Sequence, residues 1–390
     1  METYFDSSRK ELCNGCGTCA LKCPHQAIEM QLDEEGFLYP VVDKEKCVNC
    51  GICKNVCSIS INKKELHLES DAYVSYNKNL NVRKRSSSGG MFMVLAKYVI
   101  EENNGVVFGV ELTKEMIVKH SYAESIKEAE KFCGSKYVRS ELVNSYFKVK
   151  EFLNDGRVVL FTGTPCQCQG LRKYLGKEYD NLLTCEIICH ANPSPMVFKM
   201  FVKNLEEIYN KSVTNFLFRS KSYGWKYKSS IISLKNGDTI INDLYLNGFL
   251  KELINRPSCH NCFFCTEERF SDFTIGDFWG IEECDPKIKD DDTGLSLLCV
   301  NTEKGKRVLK LIENEIFLKR EELTKSFSHN HHCNVKENKN RKRFFDGIKS
   351  GKINEHNIVK YLKKYTKKNL FERVISKFKK VLIKHKINGR

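Results

Sequence analysis

The sequence predicts three consecutive parts: a small α+β cysteine-rich domain, a larger α/β core and a basic helical tail. Three observations predict them. Eight of the nineteen cysteines fall between residues 13 and 57, in two copies of one spacing. Beyond residue 90, short apolar runs alternate with stretches of helical periodicity, the rhythm of a sheet with helices packed on it. Residues 334–390 hold 19 Lys and Arg against 4 Asp and Glu, whereas the first 333 residues hold 45 of each. The net charge of +15 therefore belongs to the tail, and it gives no reason to read the neutral body as nucleic-acid binding.

The first part rests on Cys13-x2-Cys16-x2-Cys19-x3-Cys23-Pro24 and Cys47-x2-Cys50-x2-Cys53-x3-Cys57. Each half supplies three thiolates in one tight loop and a fourth a short helical turn later, the double pattern of a two-cluster 4Fe-4S domain. In that pattern the fourth cysteine of each half crosses over, giving Cys13, Cys16, Cys19 and Cys57 to one cluster and Cys47, Cys50, Cys53 and Cys23 to the other. Structural zinc also uses C-x2-C pairs, but as two pairs across a longer loop, not three cysteines in series repeated twice. Gly15, Gly17 and Gly51 let the backbone approach inorganic sulfide closely. Ser58 stands where Pro24 stands in the first half.

A chain of 390 residues exceeds one small domain several times over, so most of it serves another purpose. Many cysteines, and a start (Met-Glu-Thr-Tyr) without a charged-then-apolar segment, point to a reducing cytoplasm and to metal rather than disulfides. No stretch approaches the ~18 uninterrupted apolar residues of a membrane span.

In order, Ser58–Leu68 reads as a last strand and linker. Arg83-Lys84-Arg85-Ser86-Ser87-Ser88-Gly89-Gly90 is a basic, small-residue loop opening into a helix marked by Met91, Val94, Leu95, Tyr98 and Val99. Such a junction suits a phosphate, with an ordinary serine N-cap as the alternative. Val106–Val110 is a buried strand. The loop 133–140 precedes a helix around Tyr146–Leu153. Val158–Phe161 is an apolar strand followed by Thr162-Gly163-Thr164-Pro165-Cys166-Gln167, where Pro165 suits the first helical position and Cys166 lies at the helix N-terminus. The next strand, Leu182–Ile188, runs into Cys189-His190. Two parallel strands ending in cysteines on one carboxyl edge would bring Cys166 and Cys189 together. A helix at Met196–Tyr209 and strands at Phe216–Arg219, Ile231–Leu234 and Thr239–Ile241 follow, with Asn236-Gly237 a hairpin turn. Then come Cys259-His260-Asn261-Cys262-Phe263-Phe264-Cys265 and the strand-to-loop segment 272–280.

Cys259 and Cys262 alone read as half a zinc knuckle or as chance; with Cys166 and Cys189 they would complete four thiolates. The chain resembles bacterial relatives of the coenzyme F420 hydrogenase/dehydrogenase beta subunit over residues 10–300. The resemblance rests on the double cysteine motif, Ser87-Ser88-Gly89-Gly90, Gly134-Ser135-Lys136-Tyr137-Val138, Gly163-Thr164-Pro165-Cys166-Gln167, Ile188-Cys189-His190, Arg256-Pro257-Ser258-Cys259-x2-Cys262 and Ser271-Asp272-x-Thr274-Ile275-x-Asp277-Phe278-Trp279-Gly280. It implies an α+β ferredoxin-like two-cluster domain (1–65), an α/β flavin-binding core in two stretches (66–145 and 146–333) and a basic helical tail (334–390). It further implies FAD beside a third 4Fe-4S cluster on Cys166, Cys189, Cys259 and Cys262, with Cys265 a rival fourth ligand. Ser87, Ser88, Gly89, Gly90, Gly163 and Thr164 would line the flavin pocket, and Lys136 and Asp277 would stand near the flavin or its substrate. The implied activity is an iron–sulfur flavoprotein oxidoreductase moving electrons between a low-potential donor such as ferredoxin, the clusters, FAD and a two-electron carrier or substrate. Bacterial members of the family stand among cell-surface polysaccharide genes, which suggests a small-molecule or lipid-linked substrate.

Two other roles compete. A non-catalytic electron-relay subunit would carry clusters without tightly bound flavin, and a nucleic-acid binder would need aromatic stacking residues that the basic tail scarcely has. Cys166 as a nucleophile would need His190 as its base. In the tail, Phe371, Val374, Ile375, Phe378, Val381 and Leu382 share one helical face with basic residues around it. That pattern suits either a helix packed on the core or a peripheral contact with the inner face of the membrane.

Overall fold

The computed structural model describes residues 2–61, 70–142, 144–227, 229–330 and 333–367. In the cysteine-rich part, the short helices Thr18–Leu21 and Ile52–Asn55 each follow a glycine with positive φ, Gly17 and Gly51. Between them β1 (Ile28–Leu32) and β2 (Leu38–Val42) form an antiparallel hairpin. Phe37 and Tyr39 leave this hairpin to join the apolar cluster of Val197, Phe198 and Phe201, so the N-terminal domain shares a core with the rest of the chain.

The main body is a mixed eight-stranded sheet. Its strands are β3 (Asp71–Asn77), β4 (Val106–Leu112), β5 (Val118–Ala123), β6 (Val159–Gly163), β7 (Leu182–Ile187), β11 (Phe273–Asp277), β12 (Ser296–Val300) and β13 (Ile316–Glu321), in the spatial order β13-β3-β12-β11-β7-β6-β4-β5. β8 (Val213–Leu217), β9 (Ile231–Leu234) and β10 (Thr239–Ile241) make a separate antiparallel sheet of three. The central strands β4, β6, β7 and β11 are mutually parallel. Their apolar runs are covered on both faces, and every residue of β6 is buried. One carboxyl edge therefore gathers the ends of β6, β7 and β11, where the sequence carries Gly163–Cys166, Cys189 and Asp277. The helix Pro195–Tyr209 buries Val197, Phe198, Phe201, Val202 and Leu205 against the aromatic cluster that includes Phe216, Phe218 and Tyr245.

Several expectations are corrected. The strand placed at Phe216–Arg219 is Val213–Leu217, because Arg219 leaves the ladder to pair with Asp277. Ser58–Ile61 form no strand, and Asn62–Glu69 lie outside the described residues. The basic run at 339–343 opens the helix Arg341–Lys349, whose Phe344 and Phe345 are buried, and Ile358 and Leu362 of the helix Ile358–Tyr365 follow them into the same core. Phe371–Leu382 lie outside the described residues. Among the described residues no helix is long and apolar enough to cross a membrane.

Candidate functional site

The turn carrying Cys166 is built by local chemistry. Thr164 and Gln167 form a capping box, Pro165 takes the first helical position, and Gly176 ends the helix Pro165–Leu175 in the left-handed region. Behind it, the His120 ring bonds the Thr162 carbonyl through Nε2 (3.1 Å) and Ser140 Oγ through Nδ1 (3.0 Å). A carbonyl only accepts, so Nε2 carries the proton and Nδ1 accepts from Ser140, whose oxygen in turn accepts from Gln167 Nε2 at 2.9 Å. Burial lowers the His120 pKa to about 4, which keeps this linker neutral.

The thiols fall into groups by the fields they exert on one another. The Cys19 thiol is pushed up by burial and then by Cys16, Cys13 and Cys57, uniting three cysteines of the first half with the last of the second. Cys53 is raised by burial, and Cys47 and Cys50 add to it. Cys23 Sγ accepts from the Ala27 N–H at 3.3 Å. In the core, Cys189 is raised by burial and then by Cys259, Cys166 and Cys262. Cys265, pushed up to about 11 by burial, feels Cys333 next, which places it at the margin of the core group. Among the described residues no three His, Cys, Asp or Glu side chains stand at metal-ligand spacing, so these groupings rest on shared fields and burial. His190 pairs with Glu252, and Cys166 has Thr164 Oγ1 and Arg139 as polar neighbours.

Beside the core thiols lies a cavity of about 500 Å³. It brings together Ser87, Ser88, Gly90, Gly163, Thr164, Lys136 and Asp277 with Cys189 itself in the wall. Gly89 stands behind that wall, where an added Cβ would lie 2.6 Å from the Ser75 carbonyl oxygen, so only glycine fits there. Ser87 Oγ accepts from the Ser135 N–H at 2.7 Å, tying the two polar loops together. The expected basic flank is turned away: Arg83 is buried against Asp291 and the Gly294 carbonyl, and Arg85 pairs with Glu130.

Burial lowers the Lys136 pKa to about 8, and its ammonium donates to the carbonyls of Lys131 and Cys133, both at 2.9 Å. Asp277 pairs with Arg219 through Oδ2, while among the described residues its buried Oδ1 has no hydrogen-bond partner. Arg219 also lies 5.1 Å from the Trp279 ring centre, and Trp279 stacks on Trp225 at 4.5 Å. Tyr137 and Phe249, stacked at 4.8 Å, add a second aromatic wall. Arg219 and Lys221 escaped sequence reading. Lys221, its pKa lowered to about 7 by burial and then by Arg219 and Arg83, holds the Ser88, Arg83 and Thr293 carbonyls at 2.6–2.8 Å. A buried lysine bonded to carbonyls leaves no pattern in sequence; the signal for Arg219 was only its position in an apolar run.

The donor set fits the groups expected here. Cys166 and Cys259 are buried and Cys189 and Cys262 partly buried, the four share one electrostatic group that includes the Arg139 guanidinium, and an aromatic cavity of cofactor size adjoins them with a buried carboxylate oxygen and two small-residue loops.

Residues 156–326 match the family model for the C terminus of the coenzyme F420 hydrogenase/dehydrogenase beta subunit, and residues 12–61 match that of a 4Fe-4S dicluster domain. Over 333 residues the chain is 23% identical to a coenzyme F420-dependent sulfite reductase of Methanocaldococcus jannaschii, covering 80% of this chain and 48% of that protein. The chain thus spans about half the length of that curated relative. A chain from the F420-reducing NiFe hydrogenase complex of Methanosarcina barkeri, solved as a xenon derivative, superposes with a TM-score of 0.46 at 18% identity, over 66% of this chain and 84% of that one.

Proposed function

We propose a function from the premise that this chain belongs to the coenzyme F420 hydrogenase/dehydrogenase beta subunit family and carries a 4Fe-4S dicluster domain: it is an FAD- and iron–sulfur-dependent oxidoreductase. Cys13, Cys16, Cys19 and Cys57 hold the inner N-terminal cluster, Cys47, Cys50, Cys53 and Cys23 the outer one, and Cys166, Cys189, Cys259 and Cys262 a third. The observation that carries the reading is Cys189, which belongs to the core thiol group and also lines the cavity. A redox cofactor seated there abuts a cluster ligand.

When bound, FAD would exchange two electrons with a partner and one at a time with clusters. The chain's residues do the rest. Ser87, Ser88, Gly90, Gly163 and Thr164 cradle the cofactor, with Gly89 allowing the first loop to close on β3 and β12. Lys136 offers a cation whose charge declines above about pH 8. Asp277 Oδ1 accepts from a ring N–H or a substrate donor, and Arg219 fixes the carboxylate's orientation through Oδ2. Cys50 is exposed, so a low-potential carrier such as ferredoxin would exchange electrons at the outer cluster.

The test is the flavin released by acid from anaerobically purified protein. Stoichiometric FAD is expected and would justify screening two-electron carriers and polysaccharide-precursor substrates. Its absence from cluster-replete protein overturns the reading in favour of a non-catalytic electron-relay role, which the chain's half-length match to its curated relative also favours.

A further inference from the structure

Two buried arginines lie between the inner N-terminal thiol group and the core thiol group. Arg139 is 7% exposed and Arg256 1%. Among the described residues neither has a carboxylate at ion-pair distance, although a buried charge is costly without a counter-charge. Arg139 donates through Nη1 to Cys166 Sγ (3.6 Å) and through Nη2 to the Gly15 carbonyl (2.9 Å), reaching both groups at once. Arg256 donates through Nε to the Cys13 carbonyl (2.8 Å) and through Nη2 to that of Leu38 (2.9 Å), and it stands three residues before Cys259. Its guanidinium is centred 4.1 Å from the Tyr39 ring centre. Gly15, with φ +65°, makes room for it, since a Cβ there would lie 3.0 Å from Arg256 Nη1.

The Arg139 guanidinium thus touches both thiol groups, and that of Arg256 reaches the backbone of the first from a position three residues before Cys259. Between the groups, Leu12, Ile59, Ile61, Phe263, Phe264 and Phe270 form an apolar cluster with Cys57, Cys166 and Cys262. Water is scarce in such a seam, so the fields are weakly screened.

We propose that Arg139 and Arg256 are the counter-charges of two facing 4Fe-4S clusters, positioning residues that raise both reduction potentials and pin the clusters together for one-electron exchange. The inference rests on the proposed third cluster. In the exchange one electron leaves one cluster and arrives on the other, and no bond is made or broken. A thiolate-ligated cluster becomes more negative on reduction, so a fixed cation favours its reduced form and raises its potential.

The test is a redox titration followed by electron paramagnetic resonance on the full chain, purified anaerobically, with iron and acid-labile sulfide counted first. Arg139→Gln should lower the potential of the core cluster and Arg256→Gln that of the inner N-terminal cluster, while Arg139→Lys and Arg256→Lys should restore most of each shift. Cluster-replete Gln variants with unmoved potentials overturn the inference and leave the function reading intact. Cluster loss in the Gln variants that Lys repairs supports a charge role; loss that Lys does not repair shows a packing role and overturns it. A wild-type iron count for only two clusters overturns the inference and the third-cluster reading together, and is known before any titration.

Discussion

At the residue scale the site is governed by charges and thiols kept from water. His120 shows the consequence most directly. In the unfolded chain its ring takes a proton near pH 6.5, whereas in the fold it stays neutral down to about 4. Unfolded protein therefore binds the extra proton between those values, and the stability His120 contributes, complete above 6.5, is lost as pH falls through the window. The full loss is about 3 kcal/mol, with roughly 1 kcal/mol gone by about pH 5.5. Urea unfolding of the anaerobic protein at several pH values should show this slope, and His120→Gln should flatten it. Cys189→Ser should abolish the third-cluster signal and turnover while leaving the two N-terminal signals; a cluster-replete, fully active variant would refute the ligand assignment. Cys13, Cys19 and Cys57 were legible as a set because their spacing is a known coordination pattern. Arg139 and Arg256 were not, because an arginine's burial depends on what packs over it.

At the element scale, strand ends and loop–helix turns set the site. The run Gly163-Thr164-Pro165-Cys166-Gln167 already held its own cap, first-turn proline and strand exit, and the helix forms where those residues require it. The basic loop before Met91 shows the opposite. Its serines line the cavity, but Arg83 is buried against Asp291, a partner 208 residues away in sequence. Gly89 keeps that loop against β3 and β12. Gly89→Ala should cost about 1–3 kcal/mol through overpacking against the Ser75 carbonyl. On the proposed function it should also weaken FAD retention, measured as flavin per chain after gel filtration. Unchanged stability and flavin content would show that this loop does not shape the cavity.

At the scale of the whole molecule, the N-terminal domain is fastened rather than tethered. Arg341, in the basic C-terminal segment, pairs with Glu35 of the N-terminal hairpin and donates to the Asn255 carbonyl at 2.9 Å. Ser194 Oγ donates to the Glu35 carbonyl and Thr18 Oγ1 to that of Gly170, closing the seam on other sides. Arg341→Met leaves the partly buried Glu35 without its partner. It should cost about 3–5 kcal/mol and expose the seam to limited proteolysis, releasing the N-terminal domain. Resistance equal to wild type would mean that the other seam contacts suffice.

The sequence alone determined the two-cluster motif, the parallel strands that lead to Cys166 and Cys189, and the family resemblance, because coordination spacing, apolar periodicity and turn chemistry are local and leave local marks. Only the tertiary structure decided that Cys189 lines the cavity, that Arg219 holds Asp277, that Cys265 stands beside Cys333 and that residues 341–365 pack into the core. Each depends on pairing between distant segments. Burial and electrostatic fields arise only when those segments meet, so no window of sequence carries them.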